Sequence, residues 1–338
     1  MRRSLLSIII ASSVAIILTS YDADIAAKRQ IYLISVTSDY RDQTSAVLNT
    51  TNHDQYGLVR QILTLDDTAS ATLFLSFSGY RYILSNTKSS YILPDEENIT
   101  KTALDVLPHR MQNWNSRDVL NAIEEITEKA GENDLIIFQY SGHGAEKTGE
   151  MILSFEAQGN AVTITDSISS SEILNAFSAS KALTLLIMDS CYSGSYIKEN
   201  VIADGNVFKN DNNKEYLTSV DYFEGMGRAF SILRSSEKRM NPNIYVLSAS
   251  SEEQTSWDCD PNIYKIGTKS YEKFGGFTFY LLKALGYDPI EDEPHIKGSR
   301  ITLYSLYEDI WNSMKGYHKS EATPLVTLSP LDIILFNP

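Results

Sequence analysis

Three short runs of this chain are apolar at almost every position: LIIFQY at 135–140, LTLLIMD at 183–189 and NIYVLSAS at 243–250. Strands that are apolar on both faces are typical of a parallel sheet covered by helices on both sides. Segments with helical periodicity alternate with these runs, and the clearest lies at 115–134. The alternation predicts an α/β fold, a three-layer sandwich in which a mostly parallel central sheet has helices on both faces.

The same periodicities predict the other elements of the fold. Asn52 or Asp54 would cap one of the helices. A polar stretch at 197–241 interrupts the alternation and is interpreted as an insertion. Besides those above, we expect strands at 31–40 and 71–77 and helices at 52–63, 170–179, 274–286 and 301–314.

The acidic balance of the chain limits its partners. Its formal net charge is −14 over 338 residues. Proteins that bind a phosphate backbone need a surplus of Lys and Arg, so no nucleic-acid partner is expected. An acidic surface is also an ordinary means of staying soluble.

Residues 1–27 have the character of an export signal. Arg2 and Arg3 precede an apolar segment, Leu5 to Leu18, of 14 residues. A membrane span needs about 20 residues, whereas this length is typical of a signal peptide. We expect an exported protein, secreted or periplasmic. The alternative is an uncleaved membrane anchor at residues 5–18, which would then be the chain's contact with a membrane.

Cys191 and His143 each follow one of the apolar runs. In parallel α/β sheets, active groups gather beyond the carboxyl ends of the strands, so the fold would bring these side chains to one edge. A thiol attacks as the thiolate and needs a neighbouring base such as an imidazole. Glycines flank His143, and the backbone N–H groups of Gly144 and Cys191 would form an oxyanion hole for a substrate carbonyl.

The motifs SGHG at 141–144 and DSCYSG at 189–194 place the His 191 − 143 = 48 residues before the Cys. They resemble the motifs of the caspase and metacaspase cysteine peptidases (clan CD, peptidase C14), and DSCYSG is closer to metacaspases and their bacterial relatives. The resemblance implies a single caspase-like domain at 28–338. It also implies His143 as general base and acid and Cys191 as a nucleophile that forms a thioester acyl-enzyme. No cofactor would be required, with calcium left open as an activator.

Asp189 is the main candidate for substrate selection. Residues two apart on a strand point the same way, so Asp189 faces the side of Cys191 and would select a P1 residue that is Arg or Lys. The family associates an Asp at this position with a basic P1. In the alternative interpretation, Asp189 only orients a loop. The further candidates for substrate binding are Ser141, Ser248, Glu252, Glu253 and Trp257.

The leading hypothesis is therefore an exported cysteine endopeptidase acting on peptides or proteins with a basic P1 residue. A catalytically silent caspase-like binding module and a legumain-like peptidase or transamidase specific for Asn are the alternatives. The insertion at 197–241 contains several Lys and Arg residues. Cleavage after basic residues would allow self-processing there, and an uncut surface insertion is the other interpretation.

Overall fold

The computed structural model describes residues 29–338 apart from several gaps. The predicted leader at 1–27, the insertion at 197–241 and the candidates Glu252 and Glu253 lie outside the described residues. The gaps are 41–42, 44–46, 49, 76–79, 86–109, 113, 147, 159–160, 194–195, 197–242, 252–253, 258–264, 267–268, 271–273, 315–321, 323 and 328–332.

The described residues form the helices α1 (Thr51–Leu65), α2 (Ser116–Lys129), α3 (Ser170–Ala176), α4 (Gly276–Leu285) and α5 (Leu303–Ser313). The strands are β1 (Ile31–Thr37), β2 (Ser70–Leu75), β3 (Tyr80–Ser85), β4 (Arg110–Gln112), β5 (Leu135–Ser141), β6 (Met151–Gln158), β7 (Ala161–Ile168), β8 (Leu183–Asp189), β9 (Ile244–Ser248), β10 (Lys265–Ile266), β11 (Lys269–Ser270), β12 (Ile301–Thr302), β13 (Leu325–Val326) and β14 (Ile334–Phe336). No helix in this part of the chain is long and apolar enough to cross a membrane.

The main sheet has the strand order β13-β9-β8-β5-β1-β2-β3-β4. Strands β9, β8, β5, β1 and β2 run parallel, and the outer strands β13, β3 and β4 run antiparallel to their neighbours. In the register of the central strands, Thr37 lies beside Ser141, and Ser141 lies beside Asp189. The carboxyl ends of β1, β5 and β8 are therefore level at one edge of the sheet.

Successive side chains of the central strands enter two different cores. On β5, Ile137 belongs to the core beneath α1, α4 and α5, whereas Phe138 belongs to the core beneath α2 and α3. Leu185 and Leu186 of β8 divide in the same way. The apolar runs are thus buried on both faces because helices cover both faces, which confirms the predicted three-layer α/β fold.

Several predicted elements need correction at their boundaries. The helix predicted at 52–63 begins at Thr51, and its N-cap is Thr50, which makes no side-chain capping bond, so neither Asn52 nor Asp54 caps it. The helix predicted at 115–134 ends at Lys129, and Asn115 caps it, accepting from the N–H groups of Arg117 and Asp118. The antiparallel hairpin of β6 and β7 was not predicted, although both strands have eight residues.

Helices α1 and α4 approach each other closely at Gly57. An ideal Cβ atom at Gly57 would lie 2.8 Å from Leu282 Cδ1 and 2.9 Å from Phe274 Cε1. Phe274 is fully buried, so its ring has little room to move aside. The missing side chain at residue 57 therefore sets the spacing between these two helices.

We expect Gly57→Val to lower the free energy of unfolding by about 1–3 kcal/mol, because the added methyl groups overpack this contact. Urea unfolding followed by circular dichroism measures the change. Gly131→Val is the matched control, since an ideal Cβ atom at Gly131 meets only Asp134 Oδ2 at an ordinary 3.6 Å. Equal stability of the two variants would contradict the tight α1–α4 contact.

Candidate active site

The carboxyl ends of β5 and β8 carry the two residues singled out by the sequence. Ser141 pairs with Asp189, and the N–H of Gly142 donates to the carbonyl of Asp189 at 3.3 Å. His143 and Cys191 follow two residues beyond this pair, and both line one open cavity. The structure thus brings the predicted histidine and cysteine to the same cavity.

Gly144 lies directly against the backbone of Cys191. An ideal Cβ atom at Gly144 would be 1.9 Å from the carbonyl oxygen of Cys191 and 3.3 Å from its nitrogen. These are backbone atoms, so they cannot rotate away as a flexible side chain would. A residue without a side chain is therefore required after His143 for the two strand ends to come this close.

The thiol of Cys191 is half-buried and free of any disulfide. Burial raises the pKa of Cys191, and the nearby charge of Asp189 raises it further. The backbone N–H groups of Ser256, Cys191 and Gly144 lower the pKa, and the N–H of Ser256 lies 3.3 Å from Sγ. Because burial is the largest of these influences, the neutral thiol is favoured in the absence of substrate.

Asp189 is buried at the cavity wall beside the N-terminus of α4. Its Oδ2 atom accepts hydrogen bonds from Thr278, from the backbone N–H at 3.2 Å and from the hydroxyl at 2.5 Å. Its Oδ1 atom accepts from the hydroxyl of Ser256 at 3.1 Å. Asp189 therefore holds a helix terminus and the segment next to Cys191, so the loop-orienting role that the sequence left open is present. The carboxylate also lines the cavity.

A second buried carboxylate, Asp54 on the first turn of α1, lines the same cavity. Its Oδ1 atom accepts from the N–H of Gly275 at 2.7 Å, and its Oδ2 atom accepts from the hydroxyl of Ser141 at 2.7 Å. Sequence reasoning missed this site residue. The available signal was its spacing, since Asp54 lies four residues before Leu58 on the buried face of α1.

Gly275 lies between the two carboxylates. An ideal Cβ atom there would be 2.9 Å from Asp189 Oδ2 and 3.0 Å from Asp54 Oδ2. Asp54 accepts the N–H of Gly275, the N-cap of α4, and Asp189 accepts the N–H of Thr278 in the first turn of that helix. Donors at a helix N-terminus favour the ionised form of a carboxylate, so this wall of the cavity is suited to negative charge.

The remaining candidates are placed differently. Trp257 lines the cavity, and its carbonyl accepts from the N–H of Gly276 at 3.0 Å. Ser248 is fully buried at the end of β9, where its hydroxyl donates to the carbonyl of Ser250, and it does not line this cavity. Ser141 lines the cavity and donates to Asp54, as described above.

Two hydroxyl groups of the cavity wall were not predicted. Thr51 and Ser190 both line the cavity and are almost fully buried. Within the described part of the chain, neither hydroxyl oxygen has a hydrogen-bond partner. A buried polar group normally has a partner, so these two oxygens are exceptions in the wall of the cavity.

The ring of His143 packs against two aromatic side chains that also contact each other. It stacks on Tyr40 with 4.6 Å between ring centroids and an interplanar angle of 25°, and it meets Phe155 edge to face with 6.0 Å between centroids. The backbone of His143 is held as well, because its N–H donates to the hydroxyl of Tyr40 at 2.7 Å. Sequence reasoning did not identify Tyr40 as part of the site.

Among the described residues, no three His, Cys, Asp or Glu side chains are grouped so that they could hold a metal ion. Activation by calcium stays a prediction.

The fold and this arrangement at the strand ends agree with the caspase domain (peptidase C14), whose family model matches residues 43–312. The chain therefore belongs to this family of cysteine peptidase domains, which confirms the resemblance seen in the motifs. The comparison with curated proteins gave no match.

Solved structures similar to this one include a protein from Geobacter sulfurreducens and the caspase-1 of Spodoptera frugiperda. The first is 15% identical, with 90% of this chain and 96% of that chain covered and a TM-score of 0.45. The second is 11% identical, with 89% of this chain and 86% of that chain covered and a TM-score of 0.45.

We expect Gly144→Ala to lower the free energy of unfolding by about 1–3 kcal/mol, because its methyl group would collide with the Cys191 carbonyl. Thermal unfolding measures the loss. Gly298→Ala is the control, since an ideal Cβ atom at Gly298 has no described atom within 4 Å. A Gly144→Ala protein as stable as this control would contradict the close approach of the two strand ends.

We expect Asp189→Asn to speed the alkylation of Cys191 by iodoacetamide at pH 7. The carboxylate raises the pKa of the Cys191 thiol, so its removal lowers that pKa and increases the thiolate fraction. Mass spectrometry of the peptide that contains Cys191 measures the rate. A slower reaction in a folded variant would show that Asp189 matters to the thiol mainly through the contacts it makes with α4 and Ser256.

Proposed function

We propose that this chain is a cysteine endopeptidase that cleaves peptide bonds after Arg or Lys. Cys191 is the nucleophile and His143 the general base and acid. The observation that carries the proposal is the cavity that contains both side chains and, in its wall, the buried carboxylates of Asp54 and Asp189.

In this mechanism the proton of the Cys191 thiol passes to the imidazole of His143, and the thiolate attacks the carbonyl carbon of the substrate. The oxyanion that forms accepts hydrogen bonds from the N–H groups of Gly144 and Cys191. His143 then gives the proton to the leaving amine as the C–N bond breaks, which leaves a thioester on Cys191. A water molecule, deprotonated by His143, hydrolyses the thioester and regenerates the thiol.

The preference for a basic P1 side chain rests on the charge of the cavity wall. A cavity with two buried carboxylates excludes an acidic side chain, because like charges repel strongly where water cannot screen them. A guanidinium or ammonium group would be attracted there. A neutral Asn, which a legumain-like enzyme would prefer, would gain no such attraction from the carboxylates.

The pair of carboxylates, Asp54 and Asp189, favours Arg over Lys. The guanidinium group has five N–H donors in a planar fork, whereas the ammonium group has three. Arg can therefore donate to both carboxylates at once through its planar fork. We expect peptides with Arg at P1 to be cleaved with a higher kcat/KM than those with Lys.

Export of the protein and its self-processing are proposed on the sequence alone. Export rests on residues 1–27 and self-processing on the basic residues of 197–241, both outside the described residues. Protein or peptide substrates follow from the family, since the caspase domain belongs to the cysteine peptidases.

The test uses fluorogenic peptides ending in Arg, Lys, Asn or Asp, with the full chain assayed in the presence and absence of calcium. We expect cleavage after Arg and Lys that is lost in Cys191→Ala and His143→Ala. Asp54→Asn and Asp189→Asn should each lower kcat/KM for the Arg peptide by about 30- to 5,000-fold. Removing one partner of a buried ion pair costs about 2–5 kcal/mol, which corresponds to a change of this size.

Asp134→Asn is the matched control for the carboxylate variants. Asp134 also accepts backbone N–H groups, from Gln30 and Gly131, but it precedes β5 at the opposite edge of the sheet. Cleavage after Asn would make the chain a legumain-like enzyme. No cleavage of any peptide by folded protein, with calcium present, would favour the silent binding module.

A further inference from the structure

The support of the His143 ring comes from Tyr40, a residue that the proposed mechanism does not use. The two rings are 4.6 Å apart between centroids and 25° from parallel, so the imidazole lies over the face of the phenol ring. A cation within about 6 Å of an aromatic face is attracted by the negative charge on that face. Protonated His143 is such a cation, and the neutral imidazole is not.

The backbone at Tyr40 is held in an unfavourable conformation. Tyr40 has φ of 59°, in the left-handed region that side chains larger than Gly rarely occupy. Such a conformation is unfavourable and persists only where surrounding contacts enforce it, often at functional sites. Tyr192, directly after Cys191, has φ of 57°, so the same feature occurs on both sides of the cavity.

The contacts that enforce this conformation fix the ring of Tyr40 against His143. Tyr40 is fully buried, and its hydroxyl accepts the N–H of His143 at 2.7 Å and donates to the carbonyl of Ile152 at 2.6 Å. Burial raises the pKa of Tyr40 well above its usual value, so the phenol stays neutral and keeps both hydrogen bonds. The phenol therefore holds the histidine backbone through its oxygen and covers the imidazole with its ring.

We propose that Tyr40 is a positioning residue for His143, whose aromatic face stabilises the imidazolium formed when the Cys191 proton moves to the ring. In that step the S–H bond breaks, an N–H bond forms, and the charge of the resulting cation lies over the Tyr40 face. The proposal rests on the proposed function, because it requires His143 to accept this proton. Tyr40 then affects the reactivity of the Cys191 thiol only through His143.

The test measures the alkylation of Cys191 by iodoacetamide at pH 7, quantified by mass spectrometry of the peptide that contains Cys191. This readout needs no substrate. We expect Tyr40→Leu, which removes the aromatic face, to slow the reaction by about 3- to 30-fold, as befits a partly buried cation–π contact. Tyr40→Phe keeps the face and loses the hydroxyl, so it should stay within about threefold of the parent rate.

A variant without the histidine separates an effect through His143 from a distortion of the fold. In a His143→Ala background, Tyr40→Leu should cause no further slowing. Tyr307→Leu controls for the loss of a buried tyrosine, since Tyr307 is buried in the core beneath α1, α4 and α5 and its hydroxyl donates to the carbonyl of Pro324. If Tyr40→Leu does not fold, Tyr40→Met removes the ring with an unbranched side chain that adapts to irregular space.

Three results would overturn the proposal: an unchanged rate in the folded Leu or Met variant, a Phe variant as slow as the Leu variant, or further slowing in the His143→Ala background. Failure of the proposed function gives a different result. In that case the His143→Ala protein would react at the parent rate. A slow His143→Ala protein together with a Tyr40→Leu protein that reacts at the parent rate would exclude only the role of Tyr40.

Discussion

The N-terminus of α4, with two buried carboxylates in contact with it, is the interaction on which the rest of the site depends. Asp54 comes from α1 and Asp189 from the end of β8, and the backbone N–H groups of Gly275 and Thr278 donate to them. Two carboxyl groups can be buried side by side because donors at one helix N-terminus face both. The same contact joins the sheet to two helices of one face. The contacts that join these elements are therefore the same ones that place two carboxyl groups in the cavity wall.

A second constraint is the close approach of the strand ends beyond β5 and β8. Strand register places Ser141 beside Asp189, and Gly144 lies against the Cys191 backbone with no room for a side chain. Cys191 and His143 therefore follow strand ends whose backbones are in direct contact. The register of β5 and β8 sets the points from which these two residues follow. The aromatic packing of Tyr40 and Phe155 then orients the histidine ring.

The central strands and the helix caps could be predicted where burial or capping depends on residues that are neighbours in the sequence. The apolar run at 135–140 is buried on both faces, and Asn115 caps α2 as its position before the helical stripe suggests. The hairpin of β6 and β7 could not be predicted in the same way. Its second strand, β7, exposes the side chains of Val162 and Ile164, so the apolar residues there do not mark a buried face. Asp54 was interpreted as a cap because carboxylates are common at helix starts.

The sequence by itself determined the fold class, the order of the parallel strands and of the main helices, and the pair of motifs at 141–144 and 189–194. Each of these depends on the periodicity of one segment, or on the residues directly after a strand, and can be recognised within a short stretch of the chain. Only the tertiary structure decided that Asp54 and Tyr40 belong to this site. They lie 191 − 54 = 137 and 191 − 40 = 151 residues before Cys191 in the chain. Contacts over such separations depend on which helix packs on which strand, and no local pattern encodes that choice.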